Sequence, residues 1–138
     1  IQNTTLSLQE RNGIIRCELR ATTHTINADR LHLTNVLYNL IDNAIKYCTE
    51  APDIVISTTD RNKQLCISVK DNGLGIAREN HKKVFHKFYR VPTGNVHDVK
   101  GFGLGLHYVK SVISAHRGTT KLESDIGKGS VFIICLPL

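Results

Sequence analysis

Two asparagines and a lysine within one short segment, NLIDNAIKY at residues 39–47, have a spacing that suggests shared chemistry. On a helix, Asn39, Asn43 and Lys46 fall within about 60° of arc, beside the apolar seam, so they can address one ligand. Amide oxygens suit a hard cation such as Mg²⁺, which takes few protein ligands beside phosphate oxygens, and a lysine meets phosphate as a point charge. Asparagine is a middling helix former, so two of them one turn apart carry a small local cost. A merely solvated polar face is the alternative reading.

Asp71 ends a β-rich run and opens DNGLGI at 71–76. Gly73 and Gly75 let backbone approach closely, while the turn fixes the carboxylate at a sheet edge, where it can accept a hydrogen bond from an exocyclic amine such as adenine N6. Alone, the segment reads first as an ordinary tight turn. A third segment, GFGLGL at 101–106, strips side chains from the entry to a helix through Gly101, Gly103 and Gly105. Free amides and the positive dipole end at such an entry favour phosphate. Neither GxGxxG nor GxxxxGK[ST] is matched. Between them, HKKVFHKFYR sets Lys82, Lys83, Lys87 and Arg90 around Phe85 and Phe88, which fits an apolar-anchored lid over phosphates or a solvated basic loop.

These side chains need a scaffold, and 138 residues with 41% hydrophobic content suffice for one domain over residues 1–138. The formal net charge of +6 is compatible with anionic partners without choosing among them. Cys17, Cys48, Cys66 and Cys135 form no CxxC pair, so they read as unpaired small apolar residues in a reduced setting, with neither a zinc ribbon nor a dithiol redox motif. None of the seven histidines has paired metal-site spacing. The absence of methionine suggests a piece of a longer protein, and no apolar run approaches the roughly 20 residues of a membrane span.

Period-two alternation on both sides of Asn12-Gly13 predicts a first hairpin of two antiparallel strands. Asp29 is placed to cap a helix over about 30–48, with Leu33, Val36, Leu37, Leu40, Ala44 and Tyr47 as its apolar stripe. A second hairpin follows over 54–69. Residues 77–100 read as a loop with a helical turn near 80–88, and a helix follows over about 103–116, stopped by Gly118. TTKLES and SVFIICLPL, joined by Gly127-Lys128-Gly129, form a closing pair whose second member is apolar enough for a central strand. Segregated strands and helices predict an α+β sandwich, a mixed and mostly antiparallel sheet with helices on one face.

Taken together, the segments resemble the ATP-binding catalytic domain of two-component sensor histidine kinases, within the superfamily that includes gyrase, mismatch-repair ATPases and a heat-shock chaperone. NLIDNAIKY is similar to the N box, DNGLGI to the first glycine box, FHKFYR to the F box, GFGLGL to the second glycine box, and GKGSVFIICLPL to the closing hairpin. The resemblance covers nearly the whole chain and implies the two-layer Bergerat sandwich.

It also implies roles. Asn43 would hold Mg²⁺ with Asn39 close by, Lys46 and Tyr47 would lie near the nucleotide, and Asp71 would bind the adenine amine in a pocket shaped by Gly73, Gly75 and Ile76. Phe85 and Phe88 would anchor an ATP lid over about 77–100, Arg90 would approach the γ-phosphate, and Gly101, Gly103, Leu104, Gly105 and Leu106 would frame the triphosphate. ATP-hydrolysing relatives carry a glutamate four residues before the metal-binding asparagine; here that position is Asn39, which cannot act as a general base.

The resemblance therefore implies transfer of the γ-phosphoryl group to a histidine on a separate dimerisation and phosphoacceptor domain, with a response regulator downstream and no nucleic-acid partner. No histidine of the chain sits in the acceptor-helix motif, so the acceptor is expected upstream. The fragment is expected to be monomeric and cytoplasmic, in a homodimeric parent at the inner membrane of a bacterium. A related ATPase, an anti-sigma-factor-like serine kinase or a non-catalytic nucleotide sensor are the alternatives. Arg117 stands where many relatives carry glycine, which bears on a helix end.

Overall fold

The computed structural model describes residues 2–89 and 105–138, with side chains from residue 4 onward. Helix α1 (Gln2–Glu10) precedes strand β1 (Ile14–Leu19), α2 (Arg30–Lys46), β2 (Asp53–Arg61) and β3 (Gln64–Asp71). Two short 3₁₀ turns, Arg78–Asn80 and Lys83–Phe85, come next, followed by α3 (Gly105–Ala115), β4 (Thr119–Ser124) and β5 (Ser130–Pro137). The strands form one sheet in the order β1-β2-β3-β5-β4. Only β1 and β2 are parallel, joined across α2; the other neighbours are antiparallel. The expected mixed α+β architecture is the observed one.

Alternation along the strands divides the sheet into two faces. Ile67 and Val69 of β3, with Phe132, Ile134 and Leu136 of β5, turn toward the helices and pack with Val36, Leu40, Ala44 and Ile45 of α2 and Val109, Val112 and Ile113 of α3. Leu40, Ile113 and Ile134 are wholly excluded from solvent. The opposite face is polar, with the hydroxyls of Ser57 and Ser68 bonded across β2 and β3 at 2.6 Å.

The helix signals act as the sequence suggests. The carboxylate of Asp29 accepts from the His32 amide at 2.9 Å, which caps α2 and lowers the Asp29 pKa. Asn62 and Lys63, with φ of 51° and 60°, form the two-residue loop of the β2–β3 hairpin. β5 lies inside the sheet, as its apolar run requires.

The first hairpin is corrected. Residues before Asn12-Gly13 form α1, and β1 pairs in parallel with β2 from Ile14↔Asp53 to Leu19↔Thr58. Asn12 does adopt positive φ, 54°, but it ends a helix: its amide donates to Gln9 O at 3.1 Å, and the Gly13 amide donates to Leu8 O at 2.8 Å. Asn-Gly serves a left-handed helix cap as readily as a hairpin turn. Tertiary contacts favour the helix. The Thr4 hydroxyl donates to Asp42 of α2 at 2.8 Å, and the Arg11 guanidinium reaches the carbonyls of Ile45, Cys48 and Glu50 at the end of α2.

The cysteines are corrected as well. Cys66 and Cys135, 69 positions apart, are register partners on β3 and β5 and are joined by a disulfide. Cys17 is free and exposed, and Cys48 is free and buried. Sequence spacing could not reveal a pair that only strand register creates.

Candidate functional site

A cleft opens between the end of α2, the end of β3, the loop after β3 and the start of β5. Asn43 and Tyr47 of α2, Asp71, Leu74, Gly75, Ile76, Val84, Tyr89, Leu106 of α3, Ser130 and Phe132 line it.

Asp71 is the cleft's buried charge, 7% exposed. Its Oδ1 accepts from the Gly73 amide at 2.8 Å and from the Ser130 amide at 3.2 Å. Burial raises its pKa above the ordinary carboxylate value, and the two amide bonds oppose part of that rise. Both amides bond Oδ1, and Oδ2 takes no hydrogen bond among the described residues.

The loop holding this carboxylate is folded from main chain. A Cβ on Gly73 would lie 2.7 Å from Tyr47 O, and the Leu74 amide donates to that same oxygen at 3.0 Å. Gly75 has φ +75°, and a Cβ there would lie 1.9 Å from Asp125 O, a contact no side chain tolerates. The Ile76 amide donates to Ser124 Oγ at 2.7 Å, and that hydroxyl also meets Gly129 O and Ser130 Oγ, each at 2.8 Å. Asn72 fastens the outer side of the turn: its Oδ1 accepts from the Asp53 amide at 2.9 Å and its Nδ2 donates to Ala51 O at 3.1 Å. Beneath, the buried Cys48 thiol donates to Ala44 O at 3.0 Å, and burial, with the Asp71 charge, raises its pKa.

A shallower groove adjoins the cleft, lined by Asn35, Tyr38, Asn39, Asp42, Gly105 and Tyr108. Asn39 Nδ2 donates to Asn35 O at 2.9 Å, and its Oδ1 faces the start of α3, where a Cβ on Gly105 would lie 2.9 Å away. The amide oxygens available from Asn39 and Asn43 are hard neutral donors, the kind that suits a Mg²⁺ ion bound largely by phosphate and water. No cluster of three or more histidine, cysteine or carboxylate side chains competes for a metal among the described residues.

Of the side chains anticipated from sequence, Asn43, Tyr47, Asp71, Gly75, Ile76 and Leu106 meet in the cleft, with Gly73 directly beneath Asp71. Asn39 and Gly105 meet in the groove. Lys46 is exposed in the last turn of α2 and lines neither. Phe85 is buried edge-on against Phe132 at 6.1 Å. Phe88 departs from its anticipated place: it is 65% exposed, with φ 65°, and Tyr89 occupies the cleft wall instead, its hydroxyl donating to Asn80 at 2.8 Å. Phe85 already fills the core position, so the backbone reversal at Phe88 turns the next ring inward. Arg90, Gly101, Gly103 and Leu104 lie outside the described residues, as does the anticipated lid beyond residue 89. Ser130, Phe132 and Tyr89 were not singled out from sequence. The only hint of Ser130 was its position at the start of a strand after a glycine turn.

Comparison with known proteins places the fold among relatives. Residues 28–138 match the family model described as histidine kinase-, DNA gyrase B-, and HSP90-like ATPase. Sensor protein RprX of Bacteroides fragilis is 52% identical over 140 residues, which cover 100% of this chain and 27% of RprX. The chain therefore spans about a quarter of that relative's length. Among solved structures, full-length ShkA in complex with AMPPNP superposes with a TM-score of 0.85 at 25% identity, covering 99% of this chain and 28% of that one. The catalytic domain of histidine kinase ThkA gives 0.82 at 28% identity, covering 99% and 87%. ThkA in complex with the response regulator protein TrrA gives 0.77 at 26%, covering 99% and 37%. A buried aspartate in a glycine turn, an asparagine-bearing helix beside it and a five-stranded mixed sheet are thus found together with a match over four-fifths of the sequence: the chain belongs to the histidine kinase-, DNA gyrase B- and HSP90-like ATPase family, as an ATP-binding catalytic domain of the histidine kinase type.

Proposed function

We propose that the chain binds Mg²⁺-ATP and donates the γ-phosphoryl group to a histidine on a dimerisation and phosphoacceptor domain, in a two-component pathway whose next member is a response regulator. The observation that carries the base assignment is Asp71, buried and holding Oδ1 against two amides, with Oδ2 left to accept from the adenine amine. Guanine offers a carbonyl at that position, so the site discriminates against GTP. Asn43 and Asn39 would hold Mg²⁺, which would neutralise charge on the transferring phosphoryl group. Lys46, Arg90 and the glycines 101, 103 and 105 would attend the phosphates, with the lid starting at about residue 77 and anchored by Phe85.

The position four residues before Asn43 supports transfer over hydrolysis. Asn39 is an amide whose nitrogen is bonded to Asn35 O, so it offers no base to activate water. A phosphate acceptor must then come from another group, and the ThkA–TrrA complex is a precedent for coupling such a kinase to a response regulator. No helix of the described residues is long and apolar enough to cross a membrane. We place the domain in the cytoplasm, where ATP is available.

Calorimetry with ATP and GTP, with and without Mg²⁺, tests binding: equal affinities for the two nucleotides, or no effect of Mg²⁺, would reject those assignments. Incubating the chain and γ-labelled ATP with the matching acceptor domain tests transfer. Acid-labile, alkali-stable phosphoprotein is the expected product; free phosphate or phosphoserine in its place would mark an ATPase or a serine kinase.

A further inference from the structure

We propose that Cys66 and Cys135 are a reversible dithiol–disulfide couple, exchanged with low-molecular-weight disulfides and thiols from the helix-free face of the sheet, whose oxidation fastens the two strands that carry the cleft's carboxylate. Geometry assigns the pair. The register that opposes Asp71 to Ser130 also opposes Cys66 to Cys135, with their Cα atoms 4.1 Å apart. The two thiols are therefore neighbours in the reduced fold too, held by the ladder on both sides of them, and closing the bond requires no rearrangement of the chain.

Access follows from the alternation of the strands. Ile67, Ile134 and Leu136 at the intervening positions pack against the helices, so Cys66 and Cys135 belong to the other face, lining a groove with Ser57, Ser68, Lys121 and Ile133. Cys66 is itself buried, 8% exposed, and Cys135 is half-buried, so Cys135 is the partner that a reagent in solution meets first. Competing thiols are separated from this pair: Cys17 lies two strands away on β1, and Cys48 is buried behind the sheet with its thiol on Ala44 O.

The chemistry closes without a metal or cofactor. The Cys135 thiolate attacks one sulfur of a disulfide RSSR, forming a Cys135–SR mixed disulfide and releasing RS⁻; the Cys66 thiolate then attacks the Cys135 sulfur and expels the second RS⁻. Two protein thiols lose two electrons and two protons, and RSSR is reduced to two RSH. In a reducing compartment, where disulfides are rare and usually transient or redox-sensing, the couple reports oxidation. That setting follows from the proposed cytoplasmic location; the couple itself is independent of phosphotransfer.

The test equilibrates the 138-residue chain in a series of reduced and oxidised glutathione, quenches with an alkylating reagent, and maps modified cysteines by mass spectrometry. A single transition should convert Cys66 and Cys135 together from two alkylated thiols to one protected pair, with Cys17 alkylated throughout. Thermal unfolding should shift upward by roughly 5–15 °C on oxidation, because the bond closes a loop of about 70 residues. The shift should vanish in Cys66→Ser and in Cys135→Ser, and in wild type under reducing conditions. Alkylation of both thiols at every ratio, protection of both at every ratio, or a disulfide involving Cys17 would each overturn the proposal. If a serine variant fails to fold, the wild-type mapping still decides.

Discussion

Asp71 and Ser130 face each other across the β3–β5 ladder, and the Ser130 amide donates to Asp71 Oδ1 at 3.2 Å. The strand pairing that builds the sheet also orients the carboxylate, so the group proposed to read the base has little freedom of its own. Removing it in Asp71→Ala should weaken ATP binding by roughly 10- to 100-fold, the loss of a hydrogen bond to a charged acceptor, measured by calorimetry at neutral pH.

The same carboxylate gives the site a pH dependence. Burial raises the Asp71 pKa, so protonation sets in above the ordinary carboxylate value of 3.8 and removes the acceptor proposed for the adenine amine. ATP affinity should therefore fall on acidification earlier than an exposed aspartate would allow, and Asp71→Asn should flatten that part of the profile. Stability runs the other way: the folded state holds the proton more tightly than the unfolded chain, so this group's unfavourable contribution at neutral pH is relieved as pH falls through its raised pKa. An ATP affinity unchanged down to the ordinary carboxylate range would contradict the argument.

Gly75 and Gly127 separate two effects that positive φ usually mixes. Both have left-handed backbones, φ +75° and +78°, but a Cβ on Gly75 meets Asp125 O at 1.9 Å while one on Gly127 meets nothing within 4 Å. Gly127→Ala should cost about 1 kcal/mol from conformation alone. Gly75→Ala should cost at least about 2 kcal/mol more, since the loop must move off Asp125, and should also weaken ATP binding about tenfold or more. Denaturant melts of the two variants side by side would show the difference; equal losses would rule out the clash.

At the end of α3, Arg117 takes φ 61° while its amide donates to Ser114 O at 3.0 Å and the Gly118 amide to Ile113 O at 2.8 Å. This is the double hydrogen bond of a left-handed helix cap, with an arginine in the position glycine prefers. Arg117→Gly should stabilise the chain by about 1 kcal/mol, seen as a higher unfolding midpoint at unchanged slope. Gly118→Ala should do the reverse, because a Cβ there would lie 2.4 Å from Cys135 O.

Arg11 closes the last turn of α2 by reaching the carbonyls of Ile45, Cys48 and Glu50 from the turn after α1. Arg11→Ala should destabilise by roughly 1–3 kcal/mol, with Arg11→Lys recovering only part, since one ammonium cannot reproduce the fork. Full recovery with lysine would show that charge rather than geometry matters.

What could be read from the sequence was local. The Asp29 cap, the α2 stripe and the Asn62–Lys63 turn depend on residues close in the chain, and they form as their spacing suggests. Asn43 stood out because two asparagines one turn apart on a helix carry a local cost, and Asp71 because a carboxylate at a strand end opens a glycine turn. What was missed depends on register or on competition between tertiary contacts. Ser130 becomes a cleft residue only through its pairing with Asp71, Cys66 meets Cys135 only across β3 and β5, and α1 is held because Thr4 finds Asp42, and Arg11 finds Ile45 O, on α2. Alternation in TLSLQE could not reveal those partners.

Gly73 against Tyr47 O, Gly75 against Asp125 O and Gly129 against Asp71 O make this side of the cleft a wall of main chain laid on main chain. Side-chain replacement reshapes pockets lined by side chains, but at these three glycines there is none to replace. A small molecule that follows this contour would leave few positions at which a single substitution could exclude it while the native site survived. Drug resistance would arise more readily elsewhere in the lining, at side chains such as Leu106 of α3 and Tyr89 after the 3₁₀ turns.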